Sequence, residues 1–177
     1  MAMQSPIDGV RAIHNAFRAD IAAIDAAATA AARGTPGLEA TVERFRFFNE
    51  ILTYHAHGEE NAVFPMVEEV APLVAEAYAI DHQRLDVAFD TLSNAISAHD
   101  ALQTARATAA FKFHLDTHLA KEDAHLFRIM RERVSVPDQV KGSALCSQAC
   151  REAVCRSSPR GSIRCSATTT ARTSPAP

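Results

Sequence analysis

The sequence predicts an all-α protein: an up-down-up-down antiparallel four-helix bundle with a disordered or aberrant C-terminal tail. Three observations predict it. The 177-residue chain is 47% apolar, with six Gly and no Trp, and it is rich in Ala, the best helix former. Four segments carry apolar residues at helical spacing between Gly and Pro turn signals. The connections between them are short, which makes consecutive helices antiparallel neighbours. The length suits one domain with a sizeable core. Its expected extent is residues 1–141, followed by a tail over residues 142–177.

Ser5-Pro6 opens the first segment as an N-cap followed by a proline at the first helical position. Its stripe is Ile7, Val10, His14, Phe17, Ile21, Ile24, and "RGTPG" at 33–37 breaks it. The second stripe runs Val42, Phe45, Phe48, Leu52, His55, Glu59, Val63, Met66, with a corner at Ala71-Pro72; Pro65 is a site for an earlier end or kink. The third is Tyr78, His82, Leu85, Phe89, Leu92, Ile96, turning near His99-Asp100. The fourth is Ala107, Phe111, Leu115, His118, Glu122, Leu126, Ile129, ending before Pro137.

Charge narrows the function classes. Residues 1–141 hold 13 Lys and Arg against 20 Asp and Glu, a net charge of −7. An acidic body argues against nucleic acid as the principal partner. No apolar run approaches the ~20 residues needed to cross a bilayer. The N-terminus "MAMQSPIDGV" does not read as a secretory leader, so a cytoplasmic location is the expectation.

Every stripe carries ionisable residues where a core should be apolar: His14, then His55 and Glu59, then His82, then His118 and Glu122. In antiparallel neighbours, residues at one height are mirror images about the turn between them. Taking 57 and 120 as the centres of the two His/Glu pairs, the midpoints fall at 35.5, 69.5 and 101, on or beside the three assigned turns. The six side chains therefore belong to one layer. His at i and Glu at i+4 project from one helix face and offer a nitrogen and an oxygen to one point. That donor set suits iron, manganese or zinc, and the lack of Cys in the layer argues against iron–sulfur chemistry. Two carboxylates can each bridge two ions while the histidines cap the ends.

The order His, His-x-x-x-Glu, His, His-x-x-x-Glu, with "HAHGEENAVFP" and "HLAKEDAHLF", resembles the hemerythrin-like (HHE cation-binding) domain family over about residues 5–135. The resemblance implies a non-haem di-iron centre of two oxo- or hydroxo-bridged iron ions. It puts His55, Glu59, His118 and Glu122 at the paired-ligand positions, and His14 and His82 at the lone ones. The family's oxygen carriers have a second His four residues after the ligand on the third helix, where this chain has Asp86. The departure argues against reversible oxygen carriage. Asp86 is a candidate additional ligand, Asp123 the rival bridging ligand, and His114 a candidate to orient a ligand. His57, Glu60, His99 and His125 read as solvated or peripheral.

From Gly142 the stripes vanish, and Arg, Ser, Thr, Cys and Pro dominate. Such composition reads as disordered, whether it is a basic tail or a frameshifted end of a GC-rich gene. The spacing of Cys146, Cys150, Cys155 and Cys165 is not that of a zinc module. The function expected is binding, sensing or reduction of a small ligand (dioxygen, hydrogen peroxide or nitric oxide), with a peroxide- or oxygen-reducing activity open. The alternative is a helical interaction module with a single zinc site or no metal.

Overall fold

The computed structural model describes residues 5–157, and the side chains of residues 5–146 and of Gln148. Among the described residues the structure is all-helical. The long helices are α1 (Asp8–Ala32), α2 (Leu38–Gly58), α4 (Val74–Ser97), α5 (Ala101–Lys121) and α7 (Val136–Ser157). The short α3 (Phe64–Val70) and α6 (Phe127–Arg133) continue α2 and α5 beyond π-helical segments at Glu59–Val63 and Glu122–Leu126. Helix α1 packs against α2 and α5, α4 against α5, and α7 along α2.

The ends follow from local chemistry. Ser5 is not the N-cap: α1 starts at Asp8, whose carboxylate accepts the Ser5 N–H at 3.0 Å. The α1–α2 turn uses Gly34 at φ 92° and Gly37 at φ 123°, a region that side chains other than glycine's disfavour. Leu73 takes φ 70° before α4, with its N–H donated to the Glu68 carboxylate. Asp100 caps α5 by accepting the Gln103 N–H at 2.9 Å.

The apolar core is in two parts, with the polar layer between them. One cluster contains Phe17, Ile21, Phe45, Phe48, Leu92, Phe111 and Leu115. The other contains Ile7, Val10, Phe64, Val67, Leu126, Phe127 and Met130. The second cluster departs from the expected stripes by one residue. A straight helix puts Met66 and Ile129 inward, whereas the structure buries Phe64, Val67, Phe127 and Met130 and leaves Met66 and Ile129 only partly buried. The π segments are the cause. An i→i+5 turn takes up an extra residue, so every apolar position after it slips by one.

Residues 142–157 also differ from expectation. The composition puts the start of the tail at Gly142, whereas α7 runs through that boundary to Ser157, and Cys146 is wholly buried. Gln139 anchors the start of α7, donating its amide to the Met130 and Val134 carbonyls at 3.0 and 2.9 Å. Cys150, Cys155 and Cys165 lie outside the residues whose side chains are described.

Phe111 is 1% exposed and meets Phe45 edge-on at 5.7 Å. Phe111→Ala should cost about 3–5 kcal/mol in the metal-free protein, measured by chemical denaturation. A loss under about 1 kcal/mol would mean that this cluster does not organise the core.

Candidate metal centre

Each half of the layer is built by one pair of helices. His14 on α1 and His55 on α2 bring their Nε2 atoms to 3.1 Å. His82 on α4 and His118 on α5 do the same at 3.2 Å. Glu59 and Glu122 lie between the two pairs. His55 Nε2 is 3.2 Å from Glu59 Oε1, and His118 Nε2 is 3.4 Å from Glu122 Oε2. The crossing approaches are His14 Nε2 to Glu59 and Glu122 at 3.7 and 3.6 Å, and His82 Nε2 to Glu59 at 3.7 Å.

Two four-residue groups result: His14, His55, Glu59, Glu122 and Glu59, His82, His118, Glu122. In each, one donor atom per residue lies within 4.8 Å of all the others, and all six residues are buried. The two groups share both glutamates. A pair of ions bridged by two carboxylates and capped by two histidines each would use this arrangement. The fit has a physical sign within the chain: none of the four carboxylate oxygens of Glu59 and Glu122 has a hydrogen-bond partner. Buried carboxylates without hydrogen bonds are costly, and cations on those oxygens would remove the cost.

The electrostatics of the layer agree. Burial and the adjacent Glu59 carboxylate push Glu122 well above the usual carboxylate range. Burial also raises Glu59, but His55, His14 and His82 outweigh it and hold Glu59 well below that range. Two carboxylates this close do not both ionise at their ordinary values. Burial, with His82 beside it, lowers His118 to about 3, which keeps its imidazole neutral and able to ligate.

Behind the layer, the far nitrogens of the histidines meet other side chains, an arrangement that sets which nitrogen faces inward. His14 Nδ1 is 3.1 Å from Asp123, whose other oxygen accepts from Arg18 at 2.7 Å. His82 Nδ1 is 2.7 Å from Glu60. His118 Nδ1 lies 3.9 Å from Asp81, which is paired with Lys121. His55 Nδ1 is 3.4 Å from Cys146 Sγ. Aromatic rings fill the remaining space. Phe127 stacks on His14 at 5.2 Å, Phe17 lies 5.1 Å from His55, and Phe64 lies 5.2 Å from His82.

The structure therefore brings His14, His55, Glu59, His82, His118 and Glu122 together and leaves the other three candidates apart. Asp123 stands behind His14 rather than bridging; at five residues after His118 it has turned past the shared face. Asp86 is exposed at the rim of a cavity of about 120 Å³ lined by Leu52, His55, Leu85, Phe111 and His118 among others. His114 is exposed, with its ring against Phe113 at 5.8 Å. Sequence reasoning missed Glu60, Asp81 and Cys146. Glu60 and Asp81 each adjoin a cluster residue in the chain, which was the available signal; Cys146 had none.

The raised Glu122 makes a pH-dependent contribution to stability. Its folded value lies above its unfolded one, so its contribution is full at acid pH and is lost as pH rises through the folded value. Glu122→Gln should remove that loss, stabilising the metal-free protein by about 1–3 kcal/mol at pH 8. Denaturant unfolding at pH 5 and pH 8 measures it. An equal or larger loss of stability with pH in the variant would show that Glu122 is not the group responsible.

Residues 5–80 match the family described as the hemerythrin HHE cation binding domain. Zinc finger protein BRUTUS of Arabidopsis thaliana is 27% identical over 103 residues, which are 55% of this chain and 8% of that protein. The chain thus spans less than a tenth of that relative's length. No solved structure matches it significantly. The family match takes in His14, His55 and Glu59 directly, and the fold sets His82, His118 and Glu122 against them. From Ser5 to Ile80 the chain is similar to the hemerythrin HHE cation-binding domain family.

Proposed function

We propose that this chain is a non-haem di-iron protein that binds, senses or reduces a small ligand: dioxygen, hydrogen peroxide or nitric oxide. The observation that carries it is the sharing of Glu59 and Glu122, whose oxygens have no hydrogen-bond partner, between two buried His/Glu groups. His14 and His55 would hold one iron, His82 and His118 the other, with the glutamates bridging. An iron pair supplies two electrons to dioxygen or peroxide, and a redox-active pair needs such a water-poor, oxygen- and nitrogen-lined layer.

The chain's own residues set what can reach the layer. The cavity of about 120 Å³ beside His55, His82 and His118 has room for a few molecules the size of water. Leu52, Leu85 and Phe111 supply the apolar part of its lining and His55, Glu59, His82 and His118 the polar part, and Asp86 and Glu60 at its edge give it an acidic mouth. A neutral ligand of two to four atoms fits that volume, and the acidic mouth disfavours an anion. Asp86 at the rim rather than a second imidazole at the metal supports ligand reduction or sensing over reversible carriage.

The same reading takes four of the five long helices, α1, α2, α4 and α5, as an up-down-up-down bundle, supported by their short connections and by the donors each pair brings together. It places the protein in the cytoplasm. Among the described residues, no helix is long and apolar enough to cross a membrane, and the acidic body does not favour nucleic acid.

Metal analysis of protein made in iron-replete cells and purified without air tests the reading. About two iron ions per chain are expected. His118→Ala should lose most of the iron, because it removes a nitrogen from a closed layer, while His99→Ala, at an exposed turn, should keep it. One zinc ion or no metal in the native chain would overturn the di-iron reading in favour of an interaction module. Unchanged iron in His118→Ala would remove α5 from the site.

A further inference from the structure

Three of the four cluster histidines face an acidic side chain at Nδ1, and His55 differs. Its partner is Cys146, contributed by α7, and Cys146 is wholly buried. His55 Nε2 is turned into the layer, 3.1 Å from His14 Nε2 and 3.2 Å from Glu59 Oε1. With Nε2 serving as a donor atom for a cation, Nδ1 carries the proton and donates a hydrogen bond to the sulfur 3.4 Å away. Sγ also lies 3.9 Å from the His55 carbonyl oxygen, within reach of the thiol S–H as donor. One side chain thereby ties an imidazole to its own backbone.

The approach depends on Gly58. A Cβ at that position would lie 2.9 Å from Cys146 Cα and 3.3 Å from its Sγ, closer than packed atoms come. Buried Gln139, Gly142 and Cys146 recur at helical spacing on one face of α7, and the Gln139 hydrogen bonds hold the start of that face in place. What His55 Nε2 faces is also unusual: the buried Glu59 and Glu122 carboxylates, whose oxygens have no hydrogen-bond partner.

We propose that Cys146 is a positioning residue of the metal centre. It holds His55 in the Nδ1-protonated tautomer with Nε2 turned into the cluster, so that the last described helix is part of the site. The inference rests on the metal-centre reading, and its test has one arm that needs no metal. A thiol draws the Nδ1 proton less strongly than a carboxylate does. The corner held by His14 and His55 is accordingly the one that responds to changes in α7.

The experiment uses the full chain labelled with nitrogen-15 in its histidines, with His55 assigned by comparison with His55→Gln. In the metal-free wild type, the ring signals should report the Nδ1–H tautomer. Cys146→Ala should shift them to a mixture or to the other tautomer. Cys146→Ser, which keeps a donor and acceptor of similar size, should restore them in part. Gly58→Ala, which pushes α7 away without touching the thiol, should reproduce the Cys146→Ala spectrum; it also stands in for Cys146→Ala if that variant does not fold. In the second arm, titration with ferrous iron should show an affinity about 10–100-fold weaker in Cys146→Ala at one of two sites. An unchanged His55 tautomer in folded Cys146→Ala or Gly58→Ala overturns the proposal. A tautomer change in Cys146→Ala, together with a wild type that binds no iron, supports the positioning of His55 by Cys146 and overturns the metal reading instead.

Discussion

Glu59 and Glu122 are buried in the centre of the helical layer with no hydrogen bond to any of their four oxygens, and the rest of the fold is arranged around that cost. Two carboxylates in an apolar interior repel each other and lose their hydration, at several kcal/mol per ion. In the chain alone the relief is partial: four imidazoles approach at 3.2–3.7 Å, and Glu122 is driven well above the ordinary range. Cations on the shared oxygens would turn that repulsion into attraction. The layer is thus unfavourable as a core and favourable as a binding site, the usual exchange of stability for function.

The apolar structure is organised around this layer. Its two hydrophobic clusters meet at the histidines, with Phe17 and Leu52 on one side and Phe64, Leu126 and Phe127 on the other. Rings of Phe17, Phe64 and Phe127 lie against the imidazoles, which limits both their rotation and their solvation. Behind them Asp123, Glu60 and Asp81 stand at the outer nitrogens. Asp123 is in turn held by Arg18, and Asp81 by Lys121. A ligand set held from behind keeps its geometry when a cation arrives, so less ordering entropy is lost on binding.

Both π segments begin at the shared glutamates, Glu59 and Glu122. Each widens the helix from the glutamate of an i, i+4 His/Glu pair onward and moves the following apolar face by one position. This is why the carboxylates can aim at the centre of the layer while Phe64 and Phe127 still reach the core below it.

Much of the fold was legible in the chain because helical periodicity is local. His14, Phe17, Ile21 and Ile24 recur at 3.6-residue spacing, and the buried face of α1 is that stripe. The six donors were legible for a related reason: an i, i+4 pair shares a face wherever its helix packs, and reflection about short turns sets heights. Phase changes and contacts between distant elements were not legible. The one-residue slip at each π segment arises from packing below the layer, since Met66 and Phe64 are equally apolar. Asp86 has the position of a ligand in the chain, yet it faces the rim because one residue beyond Leu85 the helix has turned toward solvent. Cys146 stands 91 residues from His55 in a stretch whose composition resembles disorder. Only the docking of α7 against Gly58 brings that thiol to the imidazole, and a contact of that kind depends on how two helices cross, which no local pattern encodes.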